Sequence, residues 1–154
     1  MPGSSPKIAG HGDLPDANVW LALAAAGHAH HATAQAWVAG RGARPLIFCR
    51  VTQMALLRHL TTPAIMGTDV CSQKEAWRIY DAALARPGTH FMSEPPSLET
   101  VWRARTTLNQ PATKLWTDLY LAAFAHGHGL RLVTFDRGFK RLAEIDVAVL
   151  GENK

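Results

Sequence analysis

A chain of 154 residues that is 47% hydrophobic and 18% charged has the size and composition of one globular domain with one core, which excludes a disordered or membrane-embedded class. Its longest apolar stretch, Val19 to Ala26, is far too short to span a bilayer, and no charged segment leading into an apolar one opens the chain as a secretion signal. The net charge of +4, from 16 basic and 12 acidic residues, suits a polyanionic partner without demanding one.

The opening "MPGSSPKIAGHGD", residues 1–13, is rich in Gly, Pro and Ser and reads as a flexible leader or cloning remnant. The domain is therefore expected over residues 14–150, with 151–154 as a C-terminal tail. "LPD" is a short approach ending on Asp16, and the "ANVWLALAAAG" that follows favours helix. In "HHATAQAWVAG", Ala32, Gln35, Ala36 and Ala39 recur at helical spacing, and Gly40 suits a helix end. "ARPLIFC" reads as a short buried strand and "VTQMALLRHL" as a helix with Thr52 as N-cap. "SQKEAWRIYDAALAR" sets Ala76, Trp77, Ile79, Tyr80, Ala83 and Leu84 on one helical face behind a Ser72–Glu75 capping box. "THFM" is a strand, "SLETVWRARTTL" and "TKLWTDLYLAAFAHG" are helices parted by Pro111, and "RLVTF" and "VAVL" are the last strands. Strands alternating with helices through a domain of this size predict an α/β fold, a central parallel sheet covered on both faces.

In such a sheet the crevice beyond the carboxyl ends of the strands is where polar strand-end residues meet. Asp16 stands at one such end, and Asp136, which stops the apolar run "LRLVTF", at another. Asp118 lies in the Ala- and Leu-rich helix "KLWTDLYLAAFA" and shares a face with Ala122 and Ala125, so this face can approach the sheet closely. Converging carboxylates repel one another and resist burial, and a divalent cation relieves both costs. Hard oxygen donors suit Mg²⁺ or Mn²⁺, which makes Asp16, Asp118 and Asp136 candidate metal ligands and phosphodiester hydrolysis by metal-activated water the natural reaction class.

The stretches "LPDANVWLALA", "FCRVTQMALLRHLTTPAIMG", "WTDLYLAAFA" and "LVTFDRGF" resemble the PIN-domain ribonuclease toxins of the VapC type, from bacterial VapBC toxin–antitoxin pairs. The resemblance runs from about Leu14 to Leu150. It implies a three-layer α/β/α PIN domain and a metal-dependent endoribonuclease acting on RNA. It further implies homodimers, higher assemblies with the antitoxin, and inhibition by a cognate VapB antitoxin. It makes Asp16 and Asp118 the principal ligands, Asp136 a third acidic residue acting directly or through water, and Thr134 and Asn18 ordering groups for the water and ligand shell. It departs at Gln53, because PIN domains often carry a Glu in the helix after the second strand and Gln offers an acceptor oxygen without charge. Gln53 opens the alternative of a catalytically weakened module that binds RNA or antitoxin.

The remaining notable residues have plainer readings. "HAHH", ending at His31, lacks an acidic or Cys partner at metal spacing, and a surface, capping or RNA-contact role suits His31. The tryptophans all fall on helical apolar patterns, which favours core or dimer packing over base stacking. Arg50 and Arg58 flank Gln53 and suit phosphate contact or pairing with a site carboxylate. Asp13 faces away from Asp16 in an extended segment and is not expected to be a ligand. Cys49 and Cys71 have no CxxC or metal spacing and read as reduced thiols, in keeping with a cytoplasmic protein. A receiver-like phospho-acceptor site needs paired acidic residues at the first strand end and a late Lys, and the chain presents neither.

Overall fold

In the computed structural model, residues 12–141 and 145–151 are described. The leader expected over 1–13 and the tail expected over 151–154 lie mostly outside the described residues, but Asp13 lies inside them and opens the first strand. Strands β1 (Asp13–Pro15), β2 (Leu46–Phe48), β3 (Thr89–Phe91), β4 (Arg131–Thr134) and β5 (Val147–Val149) form one parallel sheet in the order β3-β2-β1-β4-β5. Between them run α1 (Ala17–Ala24), α2 (His31–Gly40), α3 (Arg50–Leu60), α4 (Pro63–Met66), α5 (Gln73–Ala85), α6 (Leu98–Arg105) and α7 (Leu115–His128). None of the described helices is long and apolar enough to cross a membrane.

Strand β2 shows why both faces of the sheet are covered, since successive side chains of a strand point to opposite sides. Ile47 joins a core cluster with Leu98 of α6 and Leu121, Phe124 and Ala125 of α7. Leu46 and Phe48 join a second cluster with Trp20 of α1, Leu56 and Leu60 of α3, and Tyr80 of α5. Trp20 stacks on Phe48 with ring centroids 3.7 Å apart, and Tyr80 meets Phe48 edge-on at 4.9 Å. The expected three-layer α/β/α arrangement follows.

The Ser72–Glu75 capping box forms as its sequence spacing predicts. Thr52, by contrast, is not an N-cap. The chain turns from β2 straight into α3 at Cys49, so Thr52 falls at the third helical position. There its hydroxyl accepts from the Cys49 N–H and donates to the Cys49 carbonyl, both at 3.1 Å. In α2 the inward residues are Ala34, Trp37 and Val38, not the Ala32, Ala36 and Ala39 set, because Trp and Val bury far more apolar area than Ala. Trp20 is core and Trp37 and Trp102 are half-buried, but Trp77 and Trp116 are 49% and 53% exposed.

Helix α7 carries two glycines with separate physical reasons. Gly129 ends it in the left-handed conformation at φ 65. Gly127 lies against the loop between β3 and α6, where an added Cβ would sit 2.5 Å from Pro95 Cγ. The same loop is tied to α7 by the Tyr120 hydroxyl donating to Glu94 Oε2 at 2.6 Å and by His128 Nε2 on the Ser93 carbonyl at 2.8 Å.

At the amino edge of the sheet, Asp13 is fully buried among three arginines. Arg44 donates to Oδ1 through Nε at 3.1 Å and Nη2 at 2.8 Å, and Arg131 spans both oxygens at 3.0 and 3.1 Å. Arg41 reaches Oδ2 at 3.4 Å. This arrangement removes Asp13 from the carboxyl edge, as its extended spacing from Asp16 implies.

Candidate active site

β1 and β4 are adjacent and in register, with Pro15 opposite Val133, so the residues that follow them meet at the carboxyl edge. The Asp16 N–H donates to the Val133 carbonyl at 2.9 Å, which holds Asp16 beside Thr134. Asp16 is the N-cap of α1: its Oδ1 accepts from the Val19 N–H at 3.0 Å. A cap of this kind uses one oxygen. The second, Oδ2, receives the Thr134 hydroxyl at 2.5 Å, and Thr134 Oγ1 accepts in turn from the Asp136 N–H at 3.0 Å. Asp136, Thr134 and Asp16 thus form one hydrogen-bonded chain across the two strand ends. Asn18 joins through its backbone N–H, while its side chain is exposed.

Asp118 comes to this group from the first turn of α7, on the face where Ala122 and Ala125 are fully buried. Burial pushes the Asp16 carboxyl above its ordinary 3.8, the hydrogen bonds from Thr134 and Val19 pull it back, and the charge of Asp118 pushes it up again. Burial and then the charge of Asp136 raise Asp118 in the same direction. Asp118 therefore feels both strand-end carboxylates, and among the described residues no hydrogen bond engages its own. Asp136 is exposed and uses Oδ1 to accept the Gly138 N–H at 2.8 Å, an Asx turn that fixes its orientation.

Gln53 is not hydrogen-bonded to these carboxylates. It is buried in the first turns of α3, its Oε1 accepts from Arg50 Nη1 at 2.6 Å, and its side chain bonds the Tyr80 phenol. The Arg50 guanidinium lies over the Phe91 ring at 4.7 Å. Arg58 stands in the last turn of α3, away from the carboxyl edge. The histidines of "HAHH" are engaged locally: His28 Nδ1 accepts the His30 N–H at 3.0 Å, and His31 Nδ1 bonds the Ala22 carbonyl at 2.7 Å. Glu94, beyond β3, is an acidic residue that the sequence reading passed over; only its tertiary contact with Tyr120 distinguishes it in the loop "SEPPS".

The donor set fits a hard divalent cation. Desolvation and neighbouring negative charge push the Asp16 and Asp118 carboxyls upward, a conflict that positive charge relieves, and all their donor atoms are oxygens. Among the described residues no group of three His, Cys, Asp or Glu side chains is placed to hold a metal ion by itself. Mg²⁺ does not need one, since it binds through one or two carboxylates and keeps several waters.

Several known proteins resemble this chain in sequence and in fold. The PIN domain family matches residues 14–145. The chain is 41% identical over 144 residues to ribonuclease VapC41 of Mycobacterium tuberculosis (strain H37Rv), covering 90% of this chain and 99% of that protein. To ribonuclease VapC44 of the same organism it is 34% identical over 125 residues, or 80% and 85% of the two chains. Among solved structures it resembles M. tuberculosis VapC20, a sarcin–ricin loop cleaving toxin, with TM-score 0.63 and 18% identity over 88% of this chain and 98% of that one. At 10% identity it also resembles a chain of VapBC2 from Rickettsia felis, solved bound to a DNA fragment from their promoter, with TM-score 0.61 over 90% and 98%. At these identities the structural likenesses speak for the fold, whereas the sequence matches speak for descent: the chain belongs to the PIN-domain family and, within it, to the VapC ribonucleases.

Proposed function

We propose that this protein is the toxin of a type II toxin–antitoxin pair, an endoribonuclease dependent on Mg²⁺ or Mn²⁺ that hydrolyses RNA phosphodiester bonds. The observation that carries this reading is the convergence of Asp118 on the hydrogen-bonded chain Asp136–Thr134–Asp16. Asp16 and Asp118 would hold the ion, with Asp136 as a third acidic residue acting directly or through water. When bound, the ion supplies Lewis acidity toward the phosphodiester and activates water for attack at phosphorus. Water adds to phosphorus as one ester P–O bond breaks, leaving a phosphomonoester and a hydroxyl.

The chain's own residues prepare that step. The Asp136 N–H occupies one acceptor position of the Thr134 oxygen and so aims the hydroxyl hydrogen at Asp16 Oδ2. Together with the Val19 N–H on Oδ1, this fixes the Asp16 carboxylate before substrate arrives. Asp118, whose carboxylate has no hydrogen-bond partner among the described residues, is available to the ion or to the proton that leaves the attacking water. Gln53 contributes by holding Arg50 near this edge, where the guanidinium suits a phosphate. That Gln53 bonds Arg50 and not the carboxylates favours the catalytic reading over the alternative, a catalytically weakened RNA- or antitoxin-binding module.

The reading includes a homodimer and a cognate VapB-type antitoxin, a partner in keeping with the VapBC2 fold neighbour. The test is sequencing of RNA ends after induced expression, beside an Asp16→Asn control, with purified protein assayed in Mg²⁺, Mn²⁺ and EDTA. New RNA ends that vanish in the control and in EDTA are the expected result. Cleavage that survives EDTA would overturn the metal-dependent mechanism. RNA and antitoxin binding without cleavage would establish the weakened module instead.

A further inference from the structure

The turn between α1 and α2 reaches the carboxyl edge of the sheet through an aromatic contact. The His30 ring stacks on Phe135 with centroids 4.6 Å and planes 25° apart. Phe135 is the residue between Thr134, whose hydroxyl holds Asp16, and Asp136, so the stacked pair is carried on the strand end that bears the acidic centre. Phe135 is half-buried and His30 remains exposed, so burial does not account for the placement of the imidazole.

The backbone that carries the imidazole is nevertheless held firmly. The His30 backbone N–H is tied to His28 Nδ1, the His28 ring lies 5.8 Å from that of His30, and the adjacent His31 is anchored to α1 through the Ala22 carbonyl. An aromatic face fixed in advance loses little entropy when a ligand stacks on it. Beside a group of carboxylates, a contact that does not depend on charge is also what a polyanion requires.

We propose that His30, backed by Phe135, is a nucleobase platform: a base of single-stranded RNA flanking the scissile phosphate stacks on the imidazole and sets which phosphodiester enters the acidic centre. The proposal rests on the ribonuclease reading. Its chemistry is general, because every base has a π-face and single-stranded RNA is commonly gripped by stacking on aromatic or His side chains.

The test uses the full chain and a short oligoribonucleotide spanning a mapped cleavage site. From the usual worth of one stacked base, His30→Ala should raise KM about 5- to 150-fold and leave kcat within about threefold. His30→Phe and His30→Trp should restore KM, whereas His30→Lys should behave like the Ala variant. An abasic nucleotide beside the scissile bond should raise KM for the wild type and add nothing in His30→Ala, a readout that also probes the contact in the unaltered protein. The ratio of the two KM values should stay constant between about 50 and about 200 mM salt, because a lost phosphate contact would shrink it. Wild-type KM in His30→Ala, or rescue by Lys and not by Phe, overturns the platform and leaves the ribonuclease reading standing. A wild-type protein that cleaves no RNA overturns both.

Discussion

Asp13→Ala is expected to be one of the most damaging single substitutions in this domain, although Asp13 touches no part of the candidate active site. The carboxylate is fully buried and receives Arg41, Arg44 and Arg131 at 2.8 to 3.4 Å. Arg44 and Arg131 have side chains 30% and 26% exposed and can turn to water when it is lost. Arg41 is 8% exposed, and its Nε is already buried without a partner, so it would be left as a stranded buried charge. Breaking a buried pair in this way costs about 3–5 kcal/mol. At about 2–4 °C per kcal/mol for a domain of this size, the melting temperature should fall by about 6–20 °C. Thermal and urea unfolding followed by circular dichroism would read it. Adding Arg41→Met to Asp13→Ala removes the stranded charge and should return part of the loss. A single variant melting within about 2 °C of wild type would show that the arginines are solvated after all, and the burial argument would fail.

Three further predictions concern the site and its support. Because burial and Asp118 hold the Asp16 carboxyl above 3.8, the folded chain keeps a proton that the unfolded chain has already released. Without divalent ions, stability should therefore fall as pH rises through the window between those two values and stay low above it. Asp16→Asn should flatten that fall in urea titrations while cutting cleavage at least about a hundredfold; an unchanged pH profile would refute the assignment. Gln53→Glu should pair with Arg50, 2.6 Å from the present amide oxygen, and leave Mn²⁺ affinity within about twofold by calorimetry. A clear gain would place residue 53 at the ion. Gly127→Ala gains up to about 1 kcal/mol of helix propensity but meets Pro95 at 2.5 Å, an overlap costing about 1–3 kcal/mol, so its melting temperature should drop; a stabilised variant would refute the close packing.

The amino-acid sequence by itself determined the features that neighbouring residues settle between themselves. The helix of Gln73–Ala85 with its Ser72–Glu75 box, the alternation of strand and helix, and the identity of Asp16, Asp118 and Asp136 as the acidic candidates were all legible in it. Propensity, capping and periodicity act over a few residues, so one chain suffices to read them. Tertiary structure decided the contacts that depend on strand order. Thr134 meets Asp16 across 118 positions only because β4 pairs with β1, and Arg131 meets Asp13 across the same separation for the same reason. Composition placed Asp13 in a leader, since a Gly- and Pro-rich neighbourhood carries no trace of three arginines brought from elsewhere. Thr52 shifted from N-cap to third position because the end of β2, not the helix's own residues, set where α3 begins. Gln53 looked like a site position from its place after the second strand, yet Arg50 and Tyr80 decide where its amide points. The stacking of His30 on Phe135 has no local signal at all, because a turn after α1 and a strand end more than a hundred residues later become neighbours only when the sheet is assembled.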